Sequence, residues 1–191
     1  MPVDPESRGT WIAVNETGLA LVVLNVNDGT APNPRLRTRG GIVPKLMGAT
    51  TLADAASAAL GLSVAAYRPF RLIVASREGV IELTSTRVVR SYSLASPLMF
   101  TSSGLGDGRV DGCRRRLFER LMSGRRNLAA KQDRFHAHRW PLRPHLSVLM
   151  SRDDACTVSR TTIQLASDGI EMTYEPQPVG VATRLVLPTR A

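Results

Sequence analysis

A hairpin close to the amino terminus constrains the fold more than any other part of this sequence. Two apolar runs, Trp11 to Val14 and Leu19 to Leu24, are joined by Asn15-Glu16-Thr17-Gly18, a stretch of turn-forming composition. Every residue of the second run is apolar, which is typical of a strand that is covered on both faces. Asn25 follows directly and carries a side-chain amide at the end of that strand. We therefore expect a buried β-hairpin with a polar group at its exit.

Length and composition indicate a globular protein of ordinary domain size. The chain has 191 residues, 43% of them hydrophobic and 21% charged, which favours a single domain over residues 1–191. No apolar run approaches the ~18–20 residues that a membrane-spanning helix needs. The amino terminus shows no signal peptide, because Asp4 and Glu6 stand where an apolar segment would be required. We therefore expect a cytoplasmic protein without a transmembrane segment.

The net charge of +9 raises the question of nucleic-acid binding. Only Lys45 and Lys131 are lysines among the 25 basic residues, an arginine bias typical of GC-rich coding sequences. The densest basic stretch, residues 114–126, also contains Glu119 and a full apolar face. Aromatic residues make up 5% of the chain, which is few for stacking on the bases of single-stranded nucleic acid. No nucleic-acid-binding motif is present in the sequence. The sequence therefore predicts no specific nucleic-acid partner.

The hydrophobic patterns along the rest of the chain alternate between helices and strands. A helix is predicted over 51–60, with Thr51 as N-cap and Asp54 three residues later, and others over 109–122 and 126–136, with a helical turn over 40–47. A polar lead-in over 1–8, a loop over 27–34 and a break over 176–178 separate the elements. Further strands are predicted over 70–75, 80–83, 88–94, 98–101, 146–150, 157–165, 170–174 and 182–187. This order predicts an α+β fold with mainly antiparallel sheets.

Several short motifs beyond the hairpin occur in an order that resembles a known family. They are Arg37-Thr38-Arg39-Gly40, Tyr67-Arg68-Pro69-Phe70-Arg71-Leu72-Ile73, Ser102-Ser103-Gly104-Leu105, Phe135-His136-Ala137-His138-Arg139-Trp140-Pro141 and His145-Leu146-Ser147-Val148. Over most of the chain this succession resembles the NRDE family, also called the transport-and-Golgi-organisation protein 2 family. That family is related to the choloylglycine-type branch of N-terminal-nucleophile (Ntn) hydrolases. The resemblance implies an Ntn-hydrolase-like αββα sandwich.

The resemblance also implies roles for individual residues. In the related hydrolases the Asn that ends the hairpin helps to form the oxyanion hole, and the matching residue here is Asn25; the alternative is an Asn that only caps a strand end. Ser102 and Ser103 fall where relatives carry a Ser-Asn type motif and are candidate ligand-binding residues, the alternative being a simple turn. No cofactor and no metal site are implied, since His136 and His138 have no Asp, Glu or Cys at a supporting spacing.

The front of the chain departs from the family pattern. The family begins with Met-Cys on a first strand and carries an Asn-Arg-Asp-Glu motif on the next, whereas this sequence begins Met1-Pro2-Val3 and reaches the hairpin almost at once. The nucleophilic cysteine is therefore missing from the given sequence. We expect an N-terminally truncated domain, arising from a misassigned start or from a naturally short relative. The misassigned start is favoured, because loss of inner strands would expose unpaired backbone.

Two functions stay open at this point. Intact relatives resemble amide hydrolases that use an N-terminal cysteine, so the resemblance implies an amidohydrolase scaffold that is non-catalytic in the chain as given. The alternative is a non-catalytic binding or trafficking protein, since eukaryotic relatives are associated with haem mobilisation, lipid metabolism and Golgi organisation. The small-molecule ligands implied are accordingly an amide substrate, haem, or an acyl lipid such as acyl-CoA.

Overall fold

The hairpin forms one edge of a five-stranded antiparallel sheet. The computed structural model describes residues 1–4, 8–27, 33–124, 126–177 and 180–188. β1 (Ile12–Val14) lies at the edge and pairs with β2 (Ala20–Asn25). The sheet continues in chain order, each strand antiparallel to the one before, through β3 (Phe70–Ala75), β4 (Val80–Thr84) and β5 (Val89–Tyr92). The predicted early hairpin and the predicted strands over 70–75 and 80–83 are confirmed.

Two helices cover one face of this sheet. α1 (Ile42–Leu46) and α2 (Leu52–Leu60) pack on β2, β3 and β4. α2 begins at the predicted N-cap, where Thr51 Oγ1 accepts the Asp54 N–H at 3.0 Å and the Asp54 carboxylate accepts the Thr51 N–H at 3.1 Å. The core between helices and sheet is formed by alternate strand residues and by the apolar helix faces: Leu21, Val23, Leu72, Val74, Ile42, Val43, Ala55 and Ala59.

A second, three-stranded sheet packs on the opposite face of the first. It consists of β6 (Ser159–Leu165), β7 (Ile170–Pro176) and β8 (Thr183–Leu187), all antiparallel. Ile12 and Val14 of β1 form a buried cluster with Ile170 and Met172 of β7, and Val22 packs against that cluster. β2 therefore buries apolar side chains in both directions, which is the reason for its continuous hydrophobic run.

Two longer helices follow the first sheet in the chain. α3 (Asp107–Met122) and α4 (Leu128–His136) meet through an edge-to-face contact between Phe118 and Phe135, whose ring centroids are 5.4 Å apart. α4 is joined to β6 by an ion pair between Asp133 and Arg160 at 3.4 Å. The fold class is thus α+β, as predicted, with two antiparallel sheets and four helices in the described part of the chain.

Two predicted strands, over 98–101 and 146–150, are wrong. In both segments an arginine side chain donates hydrogen bonds to backbone carbonyls that a neighbouring strand would otherwise bind. Arg71 Nη1 donates to the Thr101 carbonyl at 3.1 Å, and the Arg114 guanidinium donates to the carbonyls of Leu146 and Ser147 at 3.0 and 2.7 Å. Parts of the predicted lead-in, loop and break, at residues 5–7, 28–32 and 178, lie outside the described residues.

Candidate functional site

A groove of about 450 Å³ opens beside the end of β2. Its walls come from four separate pieces of the chain: the amino-terminal segment with the hairpin, the Arg37–Gly40 motif, Arg68 just before β3, and the loop before α3. The lining residues are Asp4, Gly9, Thr10, Trp11, Val23, Leu24, Asn25, Thr38, Arg39, Gly40, Arg68 and Ser102. Three of the family-like motifs that are far apart in sequence therefore meet at one place.

Asn25 is the last residue of β2 and lines the groove. Its backbone lies opposite Phe70 of β3, and its carbonyl accepts a hydrogen bond from Ser102 Oγ at 2.7 Å. The residue is exposed, and its side-chain amide makes no hydrogen bond to another described residue. An amide with two N–H donors and no acceptor among the described residues is available to a ligand carbonyl or oxyanion. The structure therefore brings the predicted Asn25 and Ser102 together.

Ser103 is placed differently from Ser102. Its hydroxyl accepts the Leu105 N–H at 3.2 Å, its own N–H donates to Asp107 Oδ1 at 2.8 Å, and its carbonyl accepts Asn27 Nδ2 at 2.8 Å. These bonds shape the turn that leads into α3. Ser103 is not among the lining residues of the groove, and its role in ligand binding stays a prediction from the sequence.

A close approach of two backbones forms one side of the groove. A Cβ atom at Gly9 would lie 2.6 Å from Gly40 Cα, and the Thr10 N–H donates to the Gly40 carbonyl at 3.0 Å. The Thr10 hydroxyl donates to the Ile12 carbonyl at 2.9 Å and accepts the Ile12 N–H at 3.3 Å. Both polar groups of Ile12 are thereby satisfied at the sheet edge, where no further strand is described.

Two arginines in the groove were not assigned from the sequence. Arg39 donates from Nε and Nη2 to the Pro69 carbonyl at 2.9 and 2.8 Å, and the same carbonyl accepts the Val26 N–H at 3.1 Å. Arg68 has a buried Nε atom with no hydrogen-bond partner. Burial, followed by the neighbouring charge of Arg68, lowers the pKa of the Arg39 guanidinium. The signal for both residues was present in the motifs Arg37–Gly40 and Tyr67–Ile73.

The described lining of the groove has no thiol and no imidazole. The hydroxyls of Thr10 and Ser102 donate to backbone carbonyls, so neither is paired with a general base. Cys113 belongs to a different groove on α3, where its Sγ donates to the Val110 carbonyl at 3.1 Å, and Cys156 is exposed. The groove thus has donors for binding an acyl or anionic group but, among its described residues, no activated nucleophile.

The two histidines of the segment His136-Ala137-His138 make contacts with aromatic rings. His136 lies against Phe135 with centroids 5.3 Å apart, and His138 lies against Trp140 at 4.6 Å. The described residues contain no group of three or more His, Cys, Asp or Glu side chains placed to hold a metal ion. Within the same residues, no helix is long and apolar enough to cross a membrane.

Comparison with known proteins agrees with the succession of motifs. Curated proteins give no match to the chain. A family model described as Transport and Golgi organisation 2 matches residues 1–173, which is most of the 191 residues and includes every residue of the groove. The chain therefore belongs to the Transport and Golgi organisation 2 family, as its motifs predicted.

Proposed function

We propose that the groove beside Asn25 is the ligand site of this protein and that the 191-residue chain binds a small molecule there without hydrolysing it. The observation that carries this proposal is the unbonded side-chain amide of Asn25 in the groove wall. A strand-end Asn with only a capping role would be expected to bond its own backbone or the next turn.

The proposed scaffold is that of an Ntn-hydrolase-like amidohydrolase, in which Asn25 would supply an oxyanion donor. Such a donor contributes about a hundredfold to a thousandfold to the rate when a nucleophile attacks a carbonyl. It has no rate to accelerate without an activated nucleophile, and the described groove residues hold no thiol and no hydroxyl that is hydrogen-bonded to a base. Binding without turnover is therefore the function that this set of side chains supports best.

The proposal is tested with the purified 191-residue chain and with Asn25→Ala. We expect no hydrolysis of linear amide or thioester substrates by either protein. We expect saturable binding of haem or an acyl-CoA by the parent chain, measured by absorbance or calorimetry. Binding by Asn25→Ala should be at least about fivefold weaker, because the hydrogen bond from the Asn25 amide to the ligand is lost. Asn33→Ala, at an exposed asparagine outside the groove, serves as the matched control.

A second function, hydrolysis of a linear amide or related acyl bond, is favoured by the same amide of Asn25. It requires a covalent acyl-enzyme intermediate. Mass spectrometry after incubation with an amide or thioester probe distinguishes the two functions. A stable acyl adduct, or a measurable turnover that Asn25→Ala abolishes, would contradict the binding proposal and establish the hydrolase.

A further inference from the structure

Arg39 and Arg68 line the same groove, and no carboxylate of the described residues is bound to either. Arg39 is held by the neutral Pro69 carbonyl, and Arg68 Nε is buried without an acceptor. None of the salt bridges among the described residues involves Arg39 or Arg68. The groove therefore concentrates two positive charges that the described structure leaves uncompensated by an ion pair.

Arg71 and Arg160, two other half-buried arginines of this chain, are each paired with a carboxylate. Arg71 contacts Glu82 at 2.8 Å, and Arg160 forms two hydrogen bonds to the carboxylate of Glu175 at 2.8 and 3.0 Å. Pairing of this kind offsets the desolvation of a guanidinium. In the groove, by contrast, the charge of Arg68 acts on Arg39 as a repulsion, in the same direction as burial.

Asp4 adds one carboxylate residue to the lining of the same groove. Its backbone N–H donates to the Gly9 carbonyl and its carbonyl accepts the Arg8 N–H, both at 2.8 Å. Asp4 also has a further interaction partner, so it is not a free carboxylate. One carboxylate against two guanidiniums leaves the described lining with an excess of positive charge. A ligand that carries an oxyanion would neutralise this excess positive charge.

We propose that the groove takes a small molecule with a carboxylate or phosphate group, which Arg68 and Arg39 bind, while the remainder of the molecule lies along Trp11 toward Asn25. This inference rests on the proposed ligand site and names the chemical class that fills it. Guanidinium groups match the planar, bidentate geometry of carboxylate and phosphate oxygens. Trp11, 36% exposed, and the neighbouring Val23 and Leu24 supply an apolar wall for an acyl or aromatic body.

Arg68 is the better residue to test, because Arg39 also supports the start of β3 through Pro69. The assay uses the intrinsic fluorescence of Trp11 in a Trp140→Phe background, since these are the two tryptophans of the chain. Hexanoate, hexyl phosphate and the neutral hexanamide are titrated. We expect saturable changes with the two acids and at least about tenfold weaker binding of the amide, because a charge-assisted hydrogen bond is lost. The tighter of the two acids identifies the anion.

Variants then assign the selectivity to the groove. Arg68→Gln should weaken both acids by about tenfold or more, Arg68→Lys should retain part of the affinity, and Arg77→Gln, at an exposed turn outside the groove, should change nothing. Melting curves confirm that each variant is folded. Equal binding of hexanoate and hexanamide, or unchanged binding in Arg68→Gln, would overturn the inference. If Asn25→Ala weakens all three compounds while Arg68→Gln weakens none, the groove remains the ligand site and only the anion inference fails.

Discussion

Gly9 lies against the backbone of Gly40 so closely that a larger residue has no room there. The structure places a hypothetical Cβ at Gly9 within 2.6 Å of Gly40 Cα, and backbone atoms cannot move aside as a flexible side chain can. This contact brings the entry to β1 against the Arg37–Gly40 motif. At the residue scale, the groove therefore depends on the absence of a side chain as much as on the presence of Asn25, Arg39 and Arg68.

Gly9→Ala is expected to lower the free energy of unfolding by about 1–3 kcal/mol, because the two backbones must separate. Gly48→Ala is the matched control: nothing lies within 4 Å of a Cβ at that position, so its effect should stay within about 0.5 kcal/mol. Urea unfolding followed by circular dichroism measures both. Equal stability of the two variants would show that the Gly9–Gly40 contact does not constrain the fold.

The first hairpin is held in place by its turn as well as by its strands. Asn15 is 9% exposed; its Oδ1 accepts the Leu19 N–H at 2.9 Å, and its Nδ2 donates to the carbonyls of Met47 and Ala49 at 3.1 and 2.8 Å. Gly18, with φ of +83°, closes the turn in a conformation that favours glycine. One side chain thus connects the turn of the sheet to the segment that follows α1.

Asn15→Ala is expected to cost about 2–3 kcal/mol of unfolding free energy, since it leaves buried backbone groups without partners. Asn33→Ala also removes a turn hydrogen bond, which the Arg35 N–H donates to Asn33 Oδ1, but at an exposed site where water replaces it. Chemical denaturation of both variants measures the difference between a buried and an exposed turn asparagine. A loss no larger in Asn15→Ala than in Asn33→Ala would contradict the anchoring role.

Elements of this fold were predictable where their cause is local. The capping box of Thr51 and Asp54 needs residues three apart, and the first four strands of the first sheet are recognisable from their apolar runs. The errors occurred where a distant side chain replaces a neighbouring strand. Arg114 binds the carbonyls of Leu146 and Ser147, which are 32 and 33 residues away in the sequence. No local sequence pattern predicts that contact.

At the scale of the whole molecule, Arg160 connects α4 to the second sheet. It lies on β6, bonds Glu175 of β7 and contacts Asp133 of α4. The hydrogen bonds from Arg160 hold the pKa of Glu175 below its ordinary value of 4.5. A carboxylate whose pKa is lowered by folding contributes stability above its unfolded pKa, and this contribution disappears as the pH falls through the folded value.

We expect Glu175→Gln to be less stable than the parent at pH 7 by at most about 1 kcal/mol, because the pair is partly exposed to solvent. The difference should shrink below about pH 4.5 and vanish in stronger acid, where the parent loses the same charge. Denaturant titrations from pH 7 to pH 3 measure this convergence, with Glu119→Gln as the control. A stability difference independent of pH would mean that packing, and not charge, is what the substitution changes.

The sequence by itself determined the family, the α+β class, the early hairpin and the position of Asn25 at a strand end. These depend on the identity of neighbouring residues and on the order of short motifs, both of which can be read along the chain. The tertiary structure alone decided that Ser102 meets Asn25 while Ser103 turns away, and that Arg39 and Arg68 share their groove. Those contacts join segments about 30 to 77 residues apart. Hydrophobic periodicity specifies which face of an element is buried, but it carries no information on which distant polar group arrives there.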